Sequence, residues 1–103
     1  MKINKKKADC RWVNYDGEGD VAFYIRPFPF SILKLNNDVV DNIKINFDHC
    51  LQGWKGLVDD DDNTLEYNDE NKGFIFDYCE EIREFIFEKS KEMAIEINDE
   101  IKN

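Results

Sequence analysis

Three groups of residues in this chain could do chemistry. The first is the acidic run Asp59-Asp60-Asp61-Asp62, followed by Asn63, Glu66 and Glu70. With Asp59 as position 1 of a calcium loop, Asp61, Asn63, the Leu65 carbonyl, Tyr67 and Glu70 fall at positions 3, 5, 7, 9 and 12, the ligand spacing of an EF-hand. Thr64 stands at the sixth position, where that loop needs glycine for its sharp turn, and the preceding GWKGLV is broken by Gly53 and Gly56 rather than being a clean entering helix. A solvated acidic turn between GLV and LEY accounts for the same residues, so neither a metal nor another cofactor is expected.

The second group is His49 beside Cys50, the types of a nucleophile and its base. Neighbours on a helix point about 100° apart and do not face each other, and His49 is the chain's single histidine. Cys50 falls on an apolar stripe and reads as a core thiol. The third group is a ladder of Glu80, Glu84, Glu88, Glu92, Glu96 and Glu100. Like charges four apart weaken an isolated helix, so an apolar stripe or a partner must hold this one. A step of four overshoots the helical repeat by about 40°, so the ridge spirals. It is either a solvated face or a docking surface for a basic partner, with Glu84, Glu88 and Glu92 at its centre. The chain carries no phosphate-binding glycine loop, GxSxG or HExxH, and no catalytic residue or enzyme activity is expected.

The elements that must position these groups follow from patterning. CRWVNY (10–15) and VAFYIR (21–26) flank DGEGD and predict two strands joined by a turn, with Trp12, Phe23 and Ile25 facing the core. Pro27 and Pro29 end the hairpin. After SILKL, the spacing of Val39, Val40, Ile43, Phe47, Cys50, Leu51 and Trp54 predicts a helix over about 38–52, capped by Asn37 or Asp38 and ended by a left-handed Gly53. Trp54 would then close over the core from just past the helix. Asn68 reads as the N-cap of a further helix with acids in its first turn. Ile82, Ile86, Met93, Ile97 and Ile101 form one stripe, widened by Phe85 and Ala94, and a break near 77–80 divides the tail into two helices. The fold class is therefore α+β: an N-terminal β-hairpin packed on about three α-helices, with a helix-rich C-terminal half.

At 103 residues with 42% hydrophobic content, the chain suits one domain, with residues 1–9 as a flexible basic arm. Three widely spaced cysteines without a CxxC pair suit neither a disulfide framework nor a zinc finger. No apolar leader follows MKINKKKADC and no stretch is long enough to span a membrane, so a soluble cytoplasmic protein is expected. The net charge of −9 is uneven, +3 over residues 1–36 against −6 over 59–76 and −5 over 77–103. Such a C-terminal half repels phosphate backbones, and no nucleic-acid partner is expected.

Taken in order, VAFYIRPFPFS, a helix running into WKGLVD, an acidic turn, LEYNDENK and FIFDY…IREFIFEKS resemble the tail assembly chaperones of long-tailed bacteriophages and prophages. The residues that carry the resemblance are Ile25, Arg26 and Pro27; Trp54, Gly56 and Leu57; Asp59 to Asn63; Leu65, Glu66 and Tyr67; Glu70 and Asn71; and Ile82 to Ser90, spanning about residues 21–92. Asn63 stands where that turn usually has glycine, and asparagine tolerates left-handed geometry. The resemblance implies a non-enzymatic protein that binds the tape-measure protein and helps recruit tail-tube subunits during tail morphogenesis. It also implies that Trp54, Leu57 and Tyr67 belong to an aromatic edge for self-association or partner binding, while the alternative is that they complete the chain's own core. A rival reading is an acidic inhibitor, a nucleic-acid mimic from a mobile element that docks on a basic partner.

Overall fold

The computed structural model describes residues 3–15, 17–29 and 39–102. Strand β1 (Arg11–Tyr15) and strand β2 (Glu18–Ile25) form the expected hairpin, helix α1 (Val39–Cys50) leads directly into strand β3 (Leu51–Lys55), and helices α2 (Asp69–Tyr78) and α3 (Glu80–Lys102) complete the α+β chain. SILKL and the residues Asn37 and Asp38 lie outside the described residues.

The third strand was not anticipated. It pairs antiparallel with β2, giving the order β1-β2-β3. Gly53 opposes Tyr24 while Leu51 opposes Ile25, which leaves Gln52 as the extra residue of a bulge. Leu51 and Trp54 are three positions apart, a separation that regular alternation would send to opposite faces; with the extra residue, both are buried. The same spacing of three is what made the segment read as the end of a helix. The end of α1 is capped by other means: the Gln52 amide donates to the carbonyls of His49 (2.7 Å) and Asp48 (3.2 Å), and the Lys72 ammonium donates to the Asp48 carbonyl at 2.8 Å. The left-handed glycines among the described residues are Gly17 and Gly56, not Gly53.

Register also corrects the expectation for Trp12. It opposes Tyr24 and so shares the outer sheet face, where it is 49% exposed, stacks on Tyr24 with ring centroids 4.9 Å apart, and lies under the Lys55 ammonium. Val13, Phe23 and Trp54 align on the inner face, and Phe23 and Ile25 are buried as expected. The helices cover that face, and Phe47, Cys50, Ile75, Phe76, Phe85, Ile86, Met93 and Ala94 complete the core.

The tail behaves as its pattern predicts. The Asn68 side chain accepts the Asn71 N–H at 2.8 Å, and Cys79 leaves helical geometry to separate α2 from α3. The residues expected as a basic arm include a 3-10 turn at Lys5–Ala8, and Lys7 and Arg11 both pair with Glu96 on α3, at 3.6 and 3.1 Å.

Where β2 ends, the chain is held at a buried corner. The Arg26 N–H donates to the Cys50 carbonyl (2.8 Å), the Ser90 hydroxyl donates to the Arg26 carbonyl (2.7 Å), and the Phe28 N–H donates to the Ser90 carbonyl (3.2 Å). Ser90 is fully buried. Removing its hydroxyl leaves the Arg26 carbonyl without that donor, so Ser90→Ala should lower unfolding stability by about 1–3 kcal/mol in urea titrations. Gly56 is constrained in two ways, by φ of +87° and by the Asp20 carbonyl, which lies where a Cβ would go. Gly56→Ala should cost about 2 kcal/mol or more, whereas Gly19→Ala, which meets open space, should change the urea midpoint little.

Candidate binding surface

The sequence-derived candidates divide into residues that build the core and residues that stay on the surface. Trp54 is buried, its indole N–H donates to the Leu65 carbonyl at 2.8 Å, and its ring meets Tyr67 edge-on at 4.9 Å. The Tyr67 hydroxyl donates to the Leu51 carbonyl at 2.9 Å and lies 3.1 Å from the Lys72 ammonium. These two rings clamp the returning arm of the acidic turn to β3. Leu57 packs half-buried against the core.

The acidic turn closes on itself. Asp59 Oδ1 accepts the N–H groups of Asp61 and Asn63, both at 2.9 Å, and Asp62 rather than Asn63 takes the left-handed conformation, at φ 63°. Val58 then pairs with Thr64, and the Leu65 N–H donates to the Leu57 carbonyl at 2.9 Å. Residues 59–63 are thus the tip of a short hairpin, and Asp59 is turned toward its own backbone. The carboxylates of Asp59, Asp60 and Asp61 lie within 4.8 Å of one another.

The glutamate ladder spirals as its spacing requires. Glu84 borders a groove with Phe28, Ile43, Phe76 and Phe87, whereas Glu92 and Glu96 border another with Arg11 and Trp12. Glu88 is exposed, Glu92 pairs with Lys89 at 3.5 Å, and the hydrogen bond and charge of Arg11, with the charge of Lys7, hold the Glu96 carboxyl below its ordinary range. Glu84 and Glu92 thus border different grooves, with Glu88 exposed between them in sequence.

An exposed apolar surface lies elsewhere, between the hairpin and α2. A groove of about 450 Å³ is walled by Leu57, Val58 and Leu65 on one side and by Phe74, Ile75 and Ile82 on the other. Phe74 and Tyr78 are one helical turn apart, 57% and 75% exposed, with ring centroids 5.0 Å apart. Sequence reasoning did not single them out. The available signal was that GFIFDY is apolar around more than one side of a helix, so burying Ile75 and Phe76 leaves Phe74 and Tyr78 outside.

His49 and Cys50 meet different partners. Cys50 Sγ is fully buried, 3.1 Å from the Ser90 hydroxyl, and burial raises the thiol above its usual range. His49 Nδ1 lies 3.3 Å from Arg26 Nη1, so this ring nitrogen accepts and the neutral imidazole carries its proton on Nε2.

Together these features define a small α+β protein with an open apolar groove bordered by acids. Residues 34–103 match the family of the YdaY prophage protein, and the chain belongs to that family. The match takes in α1, β3, the acidic hairpin, α2 and α3. No curated protein and no solved structure matches the chain. Among the described residues, no helix is long and apolar enough to cross a membrane.

The histidine sets a pH response. Burial, then the charges of Arg26 and Lys72, lower the His49 pKa below 6.5, so the unfolded chain takes up the proton more readily than the folded one. Its contribution to stability is full above the unfolded value and is lost as pH falls through the folded value. Urea midpoints measured downward from about pH 7.5 should therefore decline below about pH 6.5, and His49→Gln should flatten that decline.

Proposed function

We propose that this prophage protein is a non-enzymatic tail assembly chaperone, acting in the host cytoplasm. It would hold apolar segments of the tape-measure protein and help recruit tail-tube subunits during tail morphogenesis. The observation that carries this reading is the open groove with Phe74 in its wall and Tyr78 beside Phe74 over the adjoining depression: a protein with a net charge of −9 stays dissolved while presenting an apolar surface to a client. Membership of a prophage family supports the setting, and the order of corner, acidic turn and closing helices resembles the chaperone pattern. The absence of an enzymatic role is supported by what surrounds the two reactive side chains. The Cys50 thiol is buried with a raised pKa, and His49 Nδ1 is occupied by Arg26. The acidic-mimic reading would be favoured by a fully exposed and rigid glutamate ridge, yet Glu96 pairs with Lys7 and Arg11, and Glu92 with Lys89.

The test is co-purification of the tagged full chain from its own host during phage production, at moderate salt, with bound proteins identified by mass spectrometry. The expected outcome is recovery of the long helical tape-measure protein or the tail-tube protein. Recovery instead of a basic host enzyme, released as salt rises, would overturn the chaperone reading.

A further inference from the structure

We propose that the groove between the acidic hairpin and α2 docks a basic amphipathic helix, with Phe74 and Tyr78 as the aromatic anchors. This inference rests on the reading of the chain as a binding module and not on its role in tails.

The floor of the groove is apolar. Val58, at 55% exposed, stands opposite Phe74, and large apolar side chains grouped in this way mark interaction sites rather than ordinary surface. Acids stand at both ends. Asp59 and Asp60 border the groove at the hairpin, and Cys79 and Ile82 lead from it into an adjoining depression of about 410 Å³ bordered by Glu80 and Glu81. No Lys or Arg is among the described residues that line either part. An occupant must therefore carry an apolar stripe flanked by cations.

The backbone around the groove favours a helix over a strand. Across the hairpin the Leu65 and Asp59 N–H groups donate to the Leu57 and Asn63 carbonyls, and α2 bonds its own backbone. Along the α2 wall an incoming strand would find few free N–H or C=O groups, whereas a helix brings its backbone bonds with it and presents only side chains. A second copy of the chain fits poorly by charge. Its α2 and α3 surfaces are acidic, Lys7 and Arg11 are engaged by Glu96, and the exposed Lys5 and Lys6 sit on a short 3-10 turn with no apolar stripe beside them.

The test uses a fluorescein-labelled Leu/Lys amphipathic helical peptide of about 18 residues, roughly five turns, and its Leu/Glu counterpart. Each is titrated against the full chain in about 150 mM salt, where screening over about 8 Å suppresses diffuse charge attraction. The Leu/Lys peptide should bind, with amide NMR shifts confined to residues 57–65 and 74–82. A Phe74→Ser/Tyr78→Ser variant, altered at two exposed positions and checked by far-UV circular dichroism, should bind at least tenfold more weakly. Asp60→Asn/Glu80→Gln/Glu81→Gln should flatten the salt dependence, and Trp12→Ser on the outer sheet face should change neither. Equal affinity for wild type and the Phe74/Tyr78 variant, binding of the Leu/Glu peptide, no binding, or a dimer that the variant dissolves would each overturn the proposal. Peptide binding without any tail protein in the co-purification would leave the groove standing and remove the tail role; the reverse would remove the groove alone.

Discussion

The structure depends on the buried corner where β2, the end of α1 and the middle of α3 meet. Ser90 is the joint: its hydroxyl answers the Arg26 carbonyl, its own carbonyl answers the Phe28 N–H, and its side chain also lies against Cys50. Polar backbone groups taken out of water must find partners, and here a prolyl corner that cannot continue its ladder finds them on a helix 64 residues away. Because these bonds are directional, they set the rotation of α3, and with it which side chains of the apolar stripe face the sheet.

From that corner the rest of the architecture follows in order. Arg26 pairs with the Cys50 carbonyl, so α1 must end there and the chain must leave as β3. The bulge at Gln52 then lets Leu51 and Trp54 both enter the core, and Trp54 pulls the far arm of the acidic hairpin inward through the Leu65 carbonyl. Lys72 closes the circuit by joining α2 to the end of α1. With the hairpin and α2 both held, the cleft between them remains open and keeps its apolar walls. The groove is thus a product of elements fastened on either side of it.

The distribution of charge divides the surface. Lys7 and Arg11 meet Glu96, and Lys89 meets Glu92, so the outer half of α3 is partly compensated on the side of β1. These exposed pairs contribute little stability. Asp59 and Asp60 at the acidic hairpin and Glu80 and Glu81 at the start of α3, which border the groove and its adjoining depression, belong to none of these pairs.

Much of this was legible in the sequence. The hairpin, the Asn68 cap, the break at Cys79 and the stripe through Phe85, Ile86, Met93 and Ala94 depend on local pattern, on turn residues, capping side chains and a helical repeat, and the chain alone determines them. The acidic run as a turn was legible for the same reason, since Asp59 satisfies it with its own neighbours. Three things were decided only by tertiary structure. Strand β3 exists because β2 offers a free edge, and its bulge imitates helical spacing. Trp12 faces outward while Phe23 and Trp54 face the core because strand register, not residue type, selects a face. Phe74 and Tyr78 are exposed because the core accepts only one side of α2, and a segment apolar on more than one side carries no mark of which side the core will take.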